Sequence, residues 1–464
     1  MKNGARVASE KFEVIVAGGG PAGLAAAWAA GRAGARVRLL ERYGFLGGMA
    51  TAGQIGSILG HYVTEGQPAV TGFLERLINR MASLDGTAPA WEQARRRPGI
   101  SFDVELFKYA ADQLMLEAGV DLRFHTFACG VRTRSGRLTG LEIASKDGRG
   151  LLSGRIFVDA TGDADLAAWS GLPFQKGRPE DGRGQSMGSI FRVAGIDEAR
   201  LTPEVRREAH ARLKELRDRG ELTIYNQSLG GKGSTIRPGE HTFNLTRFPG
   251  DATRTAELTA AELFLRRETH RIVEFLRRNV AGFEKSYLAA SPANAGVRET
   301  RQIEGLATLS AGDVLEGRKS ETSIARCAYC IDIHCPLGYT TGNIHYCHQD
   351  CPSTLPCPML EKYRDRLPKT SETGMSSLRP PAGDWFNIPY GCLVPRGSRN
   401  LLVAGRCISA THQAMSSIRV MATCMATGQA AGIAAALAAR GRIPVSEVPV
   451  SEIQARLREQ GALY

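Results

Sequence analysis

Three glycines spaced G-x-G-x-x-G, Gly18, Gly20 and Gly23, are the residues of this chain whose types and spacing most directly imply a chemistry. The first allows a tight turn, and the second lets the backbone approach a pyrophosphate. The third lets a helix pack closely on a strand, and the N-terminus of that helix offers unpaired N–H groups and a partial positive charge to an anion. Glu41 follows at about the 20-residue spacing at which an acidic side chain accepts hydrogen bonds from the adenosine ribose. Together these residues describe a dinucleotide grip, which FAD and NAD would satisfy equally well.

Such a grip works only if a strand precedes it and a helix follows. Residues 12–17 (FEVIVA) are a short β-branched apolar run, an alanine-rich stretch runs from the glycines to Gly34, and VRLL at 37–40 leads into Glu41. This is strand, turn, helix, strand. Asp103 is placed to cap a helix over 103–118, a strand is expected at 120–127, and short runs broken by SGR, KDGRG and SGR between Gly130 and Ile156 predict a β-meander feeding a strand in IFVDATGD. The middle opens with a strand-like run at 186–194, followed by a basic helical region at 197–220 and a strong helix from about Thr253 to Leu276. An apolar strand at 400–404 and a long alanine-rich helix close the chain. The predicted fold is α/β: a Rossmann-type domain in two parts, 1–171 and 391–464, with an inserted α+β substrate or cap domain over 172–390. There is no repeat of fixed period, and Gly230-Gly231-Lys232-Gly233 lacks the strand and helix flanks of a second fingerprint.

Composition bounds the rest. With 464 residues, 43% hydrophobic and 23% charged, the chain has the make-up of a soluble protein of two or three domains. Its net charge of +12 comes largely from arginines along helical stretches such as 203–218 and 265–278, which read as solvated faces rather than a nucleic-acid footprint. An anionic substrate is compatible with that charge. The first residues lack an apolar h-region with a small-residue cleavage site, so a cytoplasmic location is expected. Val420 to Ala438 approaches membrane-spanning length, but it contains Thr423, Thr427, Gln429 and two glycines. A buried helix is expected there, not a span.

Further motifs separate FAD from NAD. Glu41 to Gly48 (ERYGFLGG), Asp159 to Asp163 (DATGD) and Leu402 to Arg406 (LVAGR) stand in the order found in flavoproteins related to glutathione reductase and fumarate reductase. Gly47 to Gly53 (GGMATAG), with Arg419, Thr423 and the run Gly428-Gln429-Ala430-Ala431-Gly432, resembles the broad FAD-dependent oxidoreductase family. The resemblance covers about 1–60, 100–170, 296–335 and 385–440. It implies an FAD held by Gly18, Gly20, Ala22, Gly23, Glu41, Arg42, Gly47, Gly48 and Met49, and because Met49–Gly53 offers no His, Cys or Tyr for a covalent link, a dissociable FAD is expected. Thr161, Gly162, Asp163, Gly405, Arg406, Ser417 and Ile418 complete the expected cofactor site. It also places Ser416–Val420 at the start of the last helix, beside the flavin pyrimidine. There Arg419 would stabilise the negative charge of the reduced ring. His412 is the first candidate acid/base, with a loop hydrogen bond as its bland alternative. Arg298 and Arg301 suit carboxylate recognition or an interdomain ion pair.

Six of the ten cysteines fall between 327 and 357, with the spacing C-x2-C-x4-C-x11-C-x3-C-x5-C: Cys327, Cys330, Cys335, Cys347, Cys351 and Cys357. His334, His345 and His348 lie among them. Such a set is raw material for a zinc or iron–sulfur site, with disulfides and unpaired thiols as the other readings. The run IDIHCP resembles the family's I-D-I-H stretch, which would turn Asp332 and His334 toward the active site.

The expectation is therefore an FAD-dependent oxidoreductase exchanging a hydride between a small-molecule substrate and flavin N5. One alternative is a flavin and metal electron-transfer chain serving a carrier protein, which iron and sulfide in anaerobically purified protein would favour. The other is an RNA-associated flavoprotein, which loss of RNA at about 0.15 M salt would exclude.

Overall fold

The computed structural model describes residues 12–63, 66–224, 229, 235–337 and 378–464. At its centre Phe12–Ala17 (β1), Val37–Leu40 (β2), Asp121–Arg123 (β3), Gly154–Asp159 (β4) and Leu401–Val403 (β5) form a five-stranded sheet in the order β5-β4-β1-β2-β3. Every pairing is parallel, with Val14 opposite both Val37 and Ile156, and Leu402 opposite Val158. Parallel strands covered on both faces need apolar residues throughout rather than in alternation. Val14, Ile15, Val16, Phe157, Val158 and Leu401–Val403 are accordingly fully buried.

The β1-to-β2 crossover is the helix Pro21–Arg32 (α1), with Gly20 as its N-cap and proline in its first turn. Proline is tolerated there because the first N–H of a helix has no internal partner. The chain leaves the sheet after β4 and returns only at β5, so the last strand beside the grip arrives from far along the sequence. Met421–Gly441 (α2) then lies across α1. A Cβ on Gly428 would come within 2.1 Å of the Ala22 carbonyl oxygen, and one on Gly432 equally close to that of Ala26. Two glycines four apart on one helical face let the two backbones touch. Helix α2 is long and apolar enough to cross a membrane, yet 94% of its apolar window is buried inside the protein.

Other expectations hold with local differences. Asp103 caps the helix Val104–Glu117 by accepting from the Glu105 and Leu106 amides. The strand expected at 120–127 is cut to Asp121–Arg123 because His125 turns with φ of +48°. The meander is a three-stranded antiparallel sheet of Phe127–Arg134, Arg137–Ser145 and Gly148–Leu152. In the middle of the chain Ile190–Ala194 pairs with His241–Asn244 and Tyr287–Ala290. The helices Pro203–Asp218 and Thr255–Asn279 contribute Leu213 and Ile272 to a core shared with Phe191, Phe243 and Phe283 on that sheet. Many arginines on these helices sit in exposed pairs such as Arg207–Glu204 and Arg278–Glu274. The final helix starts later than expected: His412–Ile418 is a short helix of its own, and extended Val420 caps α2. The Gly230–Gly233 run lies outside the described residues.

Candidate active site

The strands β1, β2, β4 and β5 all end at one edge, at Ala17, Leu40, Asp159 and Val403, and the segments that follow them wall a cavity of about 380 Å³. Ligands of open α/β sheets bind at this carboxyl edge. Gly18 has φ of +100°, and a Cβ there would lie 2.4 Å from the Ala160 carbonyl oxygen. At Gly23 a Cβ would lie 1.8 Å from the Gly18 carbonyl oxygen. Both glycines are thus required by the chain itself. Gly20 is different: a Cβ there would meet nothing nearer than Gly48 Cα at 3.8 Å. The protein leaves that side of Gly20 open to the cavity, as a bound pyrophosphate would require. Gly47 turns the loop with φ of +112° and packs against the Thr51 side chain, off the cavity wall. Gly48 and Met49 line the cavity.

Glu41 accepts from the Gly19 amide at 2.8 Å and the Tyr43 amide at 3.0 Å, and lies on the cavity wall with Arg42 and Tyr43. Burial raises its pKa, against the lowering effect of those two amides. On the other side Asp159 accepts from Thr161 Oγ at 2.7 Å and from the Leu166 amide at 2.8 Å, fixing the turn of the DATGD segment. Its pKa is pushed up to about 6, by burial first and then by Asp165. Arg406 ties the segments together: it donates to Asp163 at 2.9 Å, to the Gly162 carbonyl and to the Val297 carbonyl. Ala22, Thr161, Gly162, Asp163, Gly405 and Arg406 all line the same cavity.

A second cavity of about 180 Å³ shares Met49, Val297, Arg406, Arg419 and Met421 with the first. Ile55, Leu59, Ile190 and Val420 make its apolar wall, and Asn244, Arg298, Tyr329, Asp332 and His334 its polar one. Arg419 donates to the Asp332 carbonyl at 2.9 Å and to its carboxylate at 3.2 Å, while its Nε is buried without a partner among the described residues. His334 Nδ1 lies 3.0 Å from Arg247 and Nε2 lies 3.5 Å from Asp332. Burial, then Arg298 and Arg247, hold His334 well below its usual pKa. Burial would raise the Asp332 carboxyl, but His334, Arg419 and Arg298 outweigh it and keep it ionised.

The remaining expected residues lie elsewhere. His412 is on neither cavity wall; its Nδ1 meets the buried Glu299 carboxylate at 2.8 Å. Arg301 donates to the Asp163 carbonyl and the Asp165 carboxylate and covers the Phe174 ring, the arrangement of an ion pair between segments. Ser417 donates to the Tyr329 carbonyl, and the Ile418 carbonyl accepts from Cys424, both off the larger cavity because the last helix starts only at Met421. Cys327, Cys330 and Cys335 are buried, and Cys327 and Cys330 are free thiols. Burial raises the Cys327 thiol and pushes Cys330 up to about 11. Cys347, Cys351, Cys357, His345 and His348 lie outside the described residues. Among those described, no three His, Cys, Asp or Glu side chains form a group able to hold a metal ion. Asn244, Arg247 and Tyr329 escaped sequence reasoning; of these only Tyr329 stands near a signal, the IDIH run.

A family profile described as FAD dependent oxidoreductase matches residues 13–457. No curated protein matches the sequence. Among solved structures, a geranylgeranyl bacteriochlorophyll reductase-like protein from Thermoplasma acidophilum is 11% identical, with 97% of this chain and 83% of that one covered at a TM-score of 0.42. The flavin-dependent brominase Bmp2 is 11% identical, with 97% and 84% covered at 0.45. For p-nitrophenol 4-monooxygenase PnpA from Pseudomonas putida the figures are 12% identity, 64% and 70% coverage and 0.37. With the family match spanning nearly the whole chain, over a Rossmann-type sheet whose glycine grip is open at Gly20, this protein belongs to the FAD-dependent oxidoreductases and is an enzyme with FAD as its cofactor.

Proposed function

We propose that the protein is a two-electron oxidoreductase in which a small molecule in the second, inner cavity exchanges a hydride with FAD, which would fill the first, outer one, beneath a cap to which the described residues of 172–390 contribute. The observation that carries this reading is the shared wall: Met49, Val297, Arg406, Arg419 and Met421 border both cavities, so a molecule in the inner one is adjacent to whatever fills the outer one. FAD, when bound, would supply the site that accepts or returns a hydride, and with it the two electrons of the reaction, at N5. The chain's own part is to hold and to polarise. The Gly20 turn and the N-terminus of α1 receive the pyrophosphate, and Glu41 faces the ribose end. Arg419 sets a positive charge where negative charge develops on reduction, and a charge placed beforehand in a dry site needs no reorganisation during the reaction. Ile55, Leu59, Ile190 and Val420 exclude water from the reacting pair, and the His334–Asp332 pair gives the same cavity polar contacts for the substrate.

The test is to fill the inner cavity and leave the outer one alone. Ile190→Trp should retain FAD at the wild-type ratio while slowing flavin reduction by a panel of small oxidisable substrates by at least about 100-fold. Wild-type reduction rates in this variant would show that the substrate binds elsewhere.

A further inference from the structure

Arg247 is buried, and an arginine can only donate hydrogen bonds. It donates to Asn244 Oδ1 at 2.9 Å and lies 3.0 Å from His334 Nδ1. These two contacts settle the chemistry of two side chains that are otherwise ambivalent. Nδ1 of His334 must be the bare, accepting nitrogen, so the imidazole is neutral and carries its proton on Nε2. Asn244 Oδ1 already accepts from Arg247, so the Asn244 group not engaged by that arginine is its NH2, a donor. Both residues line the inner cavity, together with the cations Arg298 and Arg419. The one carboxylate among the described residues of that wall, Asp332, already accepts from Arg419 at 3.2 Å and Tyr329 at 3.4 Å and lies 3.5 Å from His334 Nε2. The polar part of the lining is therefore rich in donors, and Ile55, Leu59, Ile190 and Val420 supply its apolar part.

We propose that Arg247 is a positioning residue that sets the inner cavity to donate, and that the cavity consequently recognises its substrate through a carboxylate carried on a short apolar body. A carboxylate accepts without donating, matching His334 Nε2–H, the Asn244 amide and the arginine forks. A primary amide presents one donating end, and an ammonium presents only donors. A site built around fixed donors rejects a ligand that cannot accept, because its buried groups are then left unpaired.

This inference rests on the inner cavity being the substrate site, so its test reads binding and proton position without turnover. Small carboxylates such as butanoate and benzoate are titrated into the FAD-bound protein against their amides and the matching amines, following the flavin absorbance. The carboxylates should bind at least tenfold tighter than their amides, and in Arg247→Met that ratio should fall below about threefold with FAD content unchanged. Histidine-selective 15N spectra, with His334 assigned by His334→Gln, should show the Nε2–H tautomer in the wild type. A Nδ1–H or doubly protonated ring would overturn the role of Arg247, and equal or tighter binding of the amines or amides would overturn the carboxylate. If Arg247→Met fails to fold, the wild-type tautomer and the ligand series still decide both points.

Discussion

Gly48 sits with φ of +50° against Gly20, so close that a Cβ on Gly48 would lie 2.7 Å from Gly20 Cα, whereas a Cβ on Gly20 would come no nearer than 3.8 Å to any described residue beyond its chain neighbours. The fold thus demands glycine at 48 and merely tolerates it at 20; in the proposed site the demand at 20 comes from the bound pyrophosphate. Gly20→Leu should leave the stability of the FAD-free protein within about 0.5 kcal/mol of wild type and weaken FAD at least about 100-fold. Gly23→Ala, which drives a methyl into the Gly18 carbonyl, should cost about 1–3 kcal/mol or more with or without FAD. Paired urea melts and FAD titrations separate the two, and full FAD occupancy in Gly20→Leu would move the pyrophosphate off this turn.

The Glu299 carboxylate is fully buried between His412 Nδ1 at 2.8 Å and the Gln185 amide at 2.9 Å. Taking away one member of such a pair strands the other in a dry environment, which costs about 3–5 kcal/mol. His412→Leu should therefore be among the most destabilising single changes near the site while leaving the FAD cavity walls in place. If its melting temperature matches wild type and only turnover falls, His412 acts on the substrate, and the structural role assigned by this geometry is wrong.

Much of this was legible in the residues, and what was not has a physical reason. The strand–turn–helix around Gly18, Gly20 and Gly23 and the cap at Asp103 are local: a few neighbouring residues decide them. The Gly428–Gly432 run could be matched to a family pattern, but only the crossing of α2 on α1 shows that those glycines exist to let two backbones touch. Arg301 and His412 looked like site residues because they sit beside motif residues in sequence. Their side chains instead meet Asp165 and Glu299, contacts made across more than a hundred residues. Arg247 carried no signal at all, because its meaning comes from His334, 87 residues away.

Arg419 lines both cavities and holds Asp332 through Nη2, while its Nε is buried without a partner among the described residues. Replacing it with methionine removes a positive charge that favours the reduced, anionic cofactor. The flavin midpoint potential in Arg419→Met should fall, by roughly 30 mV for each 1.4 kcal/mol of lost interaction. Spectroelectrochemistry of the two FAD-bound proteins measures this directly, and an unchanged or higher potential would place Arg419 away from the flavin.

His61 is wholly buried beside Trp91, and burial lowers its pKa from 6.5 to about 4, only partly opposed by the backbone at Arg97 and Ala94. Between those values the unfolded chain binds the proton that the folded one refuses, so stability must fall as pH drops below about 6.5 and level off below about 4. The full effect is about 3 kcal/mol. Asp159 titrates in the same window with the opposite sign. Its pKa is raised from 3.8 to about 6, so the fold holds its proton better than the unfolded chain does, and stability falls as pH rises through that range. The two slopes oppose each other in the wild type. His61→Phe should remove one of them and leave a protein that gains stability, relative to wild type, as the pH is lowered from 6.5 to 4. Urea midpoints at half-unit pH steps measure the difference, and parallel profiles for the two proteins would mean that His61 is protonated in the fold as readily as outside it.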